Sequence, residues 1–201
     1  MKKWISVALA IFCTVSFVEA ATLEEFNKYI SEAKNPTNKQ MLTCEREASF
    51  IAKDPQQCIK AVDMLLEMSK KVTKNSLLRC EYYGANEKED CKLLFQNAYQ
   101  KTDKEFFDET IAYAYCGAGI VYDKSLLYKD GVDMYKKAVE YHPNNYFAHT
   151  NLGNGYYHGE GVAMNKIKAY YHWSIAAKQG NQVAQKNLDA LCSESPWACK
   201  K

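Results

Sequence analysis

The sequence predicts an all-α protein: an α-solenoid of helix-pair repeats about 36 residues long, stapled by disulfides. Three observations carry that prediction. The first is self-similarity at a fixed step. Ala148-His149-Thr150-Asn151-Leu152 recurs 36 positions later as Ala184-Gln185-Lys186-Asn187-Leu188. One step back from Ala148 lies Ala112, and Gly117 and Gly119 there match Gly153 and Gly155. Two further steps link Cys116 to Cys80 and Cys44, and Leu42-Thr43-Cys44-Glu45 mirrors Leu78-Arg79-Cys80-Glu81. Positions 44, 80, 116, 152 and 188 thus read Cys, Cys, Cys, Leu, Leu. The second observation is apolar spacing that is helical throughout, with no alternating run that would build a strand. The third is a set of dispersed cysteines without a single CxxC pair.

The elements follow in order. Lys2 and Lys3 precede an apolar stretch, Ile5 to Val18, and Val18-Glu19-Ala20 places small residues at a peptidase site. Residues 1–20 therefore read as a signal peptide cleaved before Ala21, with an uncleaved anchor as the alternative. The bulky Phe12 before Cys13 does not fit a lipoprotein cleavage box, and no second apolar run would hold the mature chain in a membrane. Residues 21–37 are expected as a capping helix or an arm, 38–192 as the repeat array, and 193–201 as a tail closed by a disulfide. Helices are expected over 22–34, 38–51, 55–71, 75–84, 87–101, 104–121, 126–141, 146–158, 165–178 and 181–192. Asp54-Pro55 is a cap followed by proline at the first helical position. Asp103 precedes Phe106, Phe107, Ile111 and Tyr115, which share one helical face. Pro143-Asn144-Asn145 breaks the pattern, and Gly159-Glu160-Gly161 is a turn. Gly153, Gly155, Ala176 and Ala177 would let the two helices of a unit approach closely, with Leu152, Tyr156 and Trp173 filling the groove.

Export makes disulfides the default reading of the cysteines. Of the eight in the chain, Cys13 falls in the signal segment, leaving Cys44, Cys58, Cys80, Cys91, Cys116, Cys192 and Cys199. The absence of CxxC speaks against a zinc ribbon and against a thioredoxin-type centre. Cys80 and Cys91 flank a turn near Gly84 to Asn86 at similar distances, so they are the best-matched pair across a helix hairpin. Cys192 and Cys199 bracket a segment that Pro196 can bend back. Cys44 and Cys58 are less well matched about Asp54, but each is the other's nearest available partner. Cys116 is left as the free-thiol candidate. It shares its register with Leu152 and Leu188, which reads as a buried small hydrophobe. A reactive thiol, an intermolecular bridge and a different internal pairing remain the alternatives.

Composition excludes several function classes. Hydrophobic residues make up 47% and charged residues 25%, the balance of a folded chain and not of a disordered one. Lys and Arg number 26 against 24 Asp and Glu, a net charge of +2, which gives no footprint for nucleic acid. No cofactor is expected: there is no GxGxxG, GxSxG or Walker-type loop, and Gly117-Ala118-Gly119 lacks the later glycine. No metal site is expected from His142, His149, His158 and His172, which lack ligand spacing. Ser31-Glu32-Ala33-Lys34 matches an SxxK pattern, but Lys101-Thr102-Asp103 departs from the KTG that should accompany it. Tyrosine is abundant, with 15 in the chain, and several occur as near-adjacent pairs. Adjacent helical residues point about 100° apart, so one of a pair can enter the core while the other faces out. Tyr113, His149 and Tyr157 are the residues expected to contribute to a binding face.

Leu152-Gly153, Tyr156, Gly159-Glu160-Gly161-Val162, Lys168-Ala169, Trp173, Ala176-Ala177, Gly180, Ala184 and Leu188 together resemble a Sel-one-like repeat, a relative of the tetratricopeptide unit. The segment Tyr135 to Asn145 is similar to the second helix of an ordinary tetratricopeptide unit. With its cysteines, the chain resembles the Helicobacter cysteine-rich proteins, exported repeat proteins with disulfides inside their repeats. It departs from their regular cysteine spacing, so their pairings do not carry over. The resemblance implies a periplasmic or secreted scaffold that binds a protein or peptide on its concave face. The alternative it implies is a hydrolase acting on β-lactams or cell-wall peptides.

Overall fold

The computed structural model describes residues 23–33, 35–51, 53–71 and 103–199. The signal segment, the expected helices 75–84 and 87–101, and the Cys80–Cys91 pair lie outside the described residues. Eight α-helices are described: α1 (Leu23–Glu32), α2 (Pro36–Arg46), α3 (Gln56–Ser69), α4 (Asp103–Lys124), α5 (Tyr128–Tyr141), α6 (Tyr146–His158), α7 (Lys166–Lys178) and α8 (Gln182–Glu194). A π-helical turn, Glu47–Ile51, extends α2, and a 3-10 helix, Pro196–Cys199, follows α8. Among the described residues there is no strand. None of the described helices is long and apolar enough to cross a membrane. The architecture is an all-α solenoid in which helices pack on their neighbours in sequence order.

Side-chain caps fix where the helices begin. Asn35 Oδ1 accepts from the backbone N–H groups of Thr37 (2.9 Å) and Asn38 (3.1 Å), with Pro36 at the first helical position. That cap starts α2 two residues before the expected 38. Asp54 Oδ1 accepts from Gln56 N–H at 2.9 Å, but α3 begins at Gln56 with Pro55 at the cap, one residue later than the Asp-Pro signal implied. Asn145 and Asn181, one repeat apart, make the same bond three residues on, to Ala148 N–H (3.0 Å) and Ala184 N–H (2.8 Å). The expected helix 38–51 ends differently, because its last turn widens to π. There the Glu47 carboxylate accepts from the Lys53 and Asp54 N–H groups, and Lys124 Nζ of α4 donates to Ala48 O at 2.8 Å.

The repeat register is a core register. Cys44, Cys116 and Leu152 are each at most 2% exposed and Leu188 is 9%; Ala112, Ala148 and Ala184, on the same step, are fully buried. Three clusters follow one another along the array. The first joins Met41, Cys44, Cys58, Val62 and Leu65 to Phe107 and Ile111, so α2 and α3 pack directly on α4. Positions 44 and 116, two steps apart in sequence, therefore sit on contacting helices. The second centres on Tyr135, Val132, Ala148 and Leu152, and the third on Trp173, Ala176, Ala184, Leu188, Leu191 and Ala198.

Glycine sets the closest approaches. A Cβ on Gly153 would stand 2.3 Å from Trp173 Cδ1, so the indole lies where a side chain would otherwise be. Gly155 does not serve the same contact, contrary to expectation. Its crowding neighbours are Glu160 O (3.1 Å) and Val132 Cγ2 (3.3 Å), so it faces α5 and the following turn. The reason is the ~100° step between helical positions, which turns residues 153 and 155 to different neighbours. Disulfides join Cys44 to Cys58 and Cys192 to Cys199, and Cys116 is free and buried.

Candidate functional site

Tyr113 lies half-buried on α4, its hydroxyl donating to Glu109 Oε1 at 3.2 Å. Its ring meets Phe147 of α6 edge-on, 6.5 Å between centroids. Both aromatics are partly exposed, and they bring the first helices of successive units side by side. Tyr157 stands ten residues further along α6, about 15 Å away at helical rise. Its hydroxyl donates to Glu194 Oε2 at 2.8 Å, and its ring lies 5.3 Å from that of Trp173. The three predicted residues therefore do not form one cluster.

His149 corrects the expectation of an exposed binding residue, since it is only 2% exposed. Its Nε2 lies 2.9 Å from Pro143 O and its Nδ1 lies 2.9 Å from His172 Nδ1. A carbonyl only accepts, so Nε2 of His149 carries the proton and donates. In the neutral ring Nδ1 then accepts, and His172 must donate from its own Nδ1. Burial lowers the His149 pKa. Burial, with His149 and Lys168 nearby, lowers that of His172 to about 4. Tyr156 stacks on His172 at 5.5 Å. The pair is a seam between α6 and α7 whose members, 23 residues apart, have no local signal in common.

The chemistry-bearing groups elsewhere are engaged within the fold. Lys166 Nζ donates to Glu194 Oε1 (2.8 Å) and to Ser195 Oγ (2.9 Å). This serine–lysine contact is not an activated nucleophile. The lysine is shared with the Glu194 carboxylate, to which it donates as it does to the serine, and Ser195 is 5% exposed. Lys166 and Tyr157 in turn hold the Glu194 carboxyl below its ordinary range. Ser31 is exposed on α1 and its hydroxyl donates to Lys28 O at 2.7 Å; Lys34 lies outside the described residues. Cys116 Sγ donates to Asn145 Oδ1 at 3.5 Å, and burial pushes its thiol far above the ordinary range. It is a core thiol and not a thiolate. No group of histidine, cysteine and carboxylate side chains suited to a metal occurs among the described residues.

Two acids escaped the sequence reading. Asp123 accepts from the buried Tyr135 hydroxyl at 2.7 Å, and burial raises its pKa to about 6. Its place in the last turn of α4, where an anion opposes the helix dipole, was the available signal. Glu45 is 2% exposed, its Oε2 is without a hydrogen-bond partner, and burial raises its pKa well above the carboxylate range.

Exposed apolar side chains gather on the turns. Leu126 and Leu127 follow α4, Met164 and Ile167 lie between α6 and the first turn of α7, and Trp197 follows α8; each is at least half exposed. A shallow cleft of about 330 Å³ opens between α2 and α3, lined by Thr37, Asp63, Met64, Glu67, Met68 and Lys71. Comparison of the chain with protein-family models, with curated proteins and with solved structures found no match.

Proposed function

We propose that the protein is an exported, non-enzymatic repeat scaffold of the Sel-one-like type, binding a protein or peptide in the periplasm or outside the cell. The observation that carries this reading is the Tyr113–Phe147 contact. It lines up partly exposed aromatics from successive first helices, the arrangement from which a solenoid builds an extended binding face. Disulfides at both ends of the described array favour an oxidising compartment. The internal engagement of Lys166, Ser195, Glu194 and His149 leaves packing as their evident role.

Site-directed photo-crosslinking in the native envelope tests the binding face. A crosslinker at Tyr113 is expected to give a discrete adduct that the same group at buried Ala112 does not. No adduct at Tyr113, or equal yields at both positions, refutes the face. Intact mass tests export separately: the chain should start at Ala21 and, unfolded without reductant, carry one alkylatable thiol.

A further inference from the structure

The two described disulfides occupy opposite environments. Cys44 and Cys58 are 1% and 0% exposed, and α4 covers them at Gly117, where a Cβ would stand 2.8 Å from Cys44 Sγ and 3.2 Å from Cys58 Sγ. Cys192 and Cys199 are only half-buried, seven residues apart, at the end of the array.

What the second bridge holds is small. The helix Pro196–Cys199 has four residues, far below the length at which a helix persists unaided. Its largest side chain, Trp197, is 59% exposed, while Ala198 is the one it buries, at 3%. Besides the bridge, its foot is tied by the Ser195–Lys166 contact and by Ala198 N–H donating to Ser195 O at 3.0 Å. Yet this segment packs on both α7 and α8 and covers the cluster containing Leu191 and Trp173. α8 carries Ala184 and Leu188 in the register of Ala148 and Leu152, the first-helix positions of a unit. The 3-10 segment therefore packs on a first helix at the end of the described array.

We infer that Cys192–Cys199 is a thiol-operated latch. A dithiol reductant opens it while the rest of the array stays folded, releasing the segment that covers the end of α7 and α8. In the first step a thiolate of the dithiol attacks one sulfur, breaking the Cys192–Cys199 bond and forming a mixed disulfide. The second thiol of the reductant then displaces the cysteine. Two electrons and two protons pass to the protein, which ends with two thiols, and the reductant ends as a disulfide. Cys44–Cys58 is shielded from the same attack, because no thiolate reaches either sulfur in line while α4 is seated.

The test is a dithiothreitol titration of the oxidised full chain, with alkylation and peptide mass mapping at each point. Hydrogen exchange and far-ultraviolet circular dichroism are followed in parallel. Cys192 and Cys199 are expected to become alkylated at lower reductant than Cys44 and Cys58, with helical signal retained. The Ala198 amide, bonded to Ser195 O while the latch is closed, should then exchange roughly tenfold faster or more. The variant Cys199→Ser should show that faster exchange without reductant. The latch is overturned if the buried bridge opens first or at the same concentration. It is equally overturned if the Ala198 amide keeps its protection in reduced protein and in Cys199→Ser.

Discussion

The first and last thirds of the described array solve the same packing problem with different materials. Around α2, α3 and α4 the core is built from large side chains, Phe107, Leu65, Ile111 and Val62, closed over a sealed disulfide. Around α6, α7 and α8 it is built largely from alanine, with Trp173 filling the space that Gly153 leaves. Polar groups differ in the same way. The C-terminal seam pairs its ring donors with acceptors: Trp173 Nε1 donates to Thr150 O and Asn154 Oδ1 at 3.1 Å, and His172 donates to His149. The N-terminal core instead carries Glu45, buried with one carboxyl oxygen unanswered. One region relies on apolar volume and a covalent tie, the other on interlocking small residues and matched polar pairs. The contrast shows that a common helix register does not dictate a common source of stability.

The largest expected effect comes from removing the indole. Trp173→Ala should cost about 3–5 kcal/mol in denaturant unfolding. Since each helix packs chiefly on those near it in sequence, hydrogen exchange should rise first in α6–α8 and last around Cys44. Uniform loss of protection would show that the two regions fold as one unit. Next comes Cys44→Ser with Cys58→Ser, expected to cost about 3 kcal/mol for a loop of this size. Here the order of loss should reverse, with α2 and α3 opening before α7.

Acidity should separate the regions more gently. His172 has its folded pKa depressed to about 4, so its contribution is present above pH 6.5 and is lost as pH falls through 4. Glu45 has its folded pKa raised, so its contribution is full below 4.5 and declines as pH rises. Segment-resolved exchange between pH 4 and 7 should therefore show α6–α7 loosening on acidification while α2 tightens. Glu45→Gln should stabilise the protein at pH 7 and have little effect at pH 4, read from the unfolding midpoint at each pH. The smallest effect is expected at Leu126. Three helices, α4, α6 and α7, end with an N–H bonded five residues back, from Leu127, Glu160 and Asn181. The left-handed residue before that donor is Gly159 and Gly180 in two cases and Leu126, at φ 61°, in the third. Leu126→Gly should gain about 0.5–1 kcal/mol, read from the unfolding midpoint, because an exposed side chain is traded for an unstrained turn.

Much of the fold was legible because its signals are local. Asn145 and Asn181 announce helix starts within four residues, and the 36-residue step marks buried positions wherever it can be checked. Asn35-Pro36 carried the signal read at Asp54-Pro55 and fits it better, since Pro36 is the first helical residue whereas Pro55 stands at the cap. The site was less legible because its contacts are not local. His149 looked like a surface histidine until His172 arrived from the next helix, and Tyr157 until Glu194 arrived from the one after. The Asp123–Tyr135 bond spans the α4–α5 turn and depends on Gly131, where a Cβ would stand 2.1 Å from Asp123 Oδ1. Nothing in the residue types alone fixes such pairings.

Gly117 bears on the chronology of the molecule's assembly. Its backbone rests on both sulfurs of Cys44–Cys58, so an oxidant can reach those thiols only while α4 is elsewhere. The α2–α3 hairpin must therefore be oxidised before α4 seats, and a chain that seats first must partly unfold to be corrected. At this contact, then, oxidation comes first and seating second.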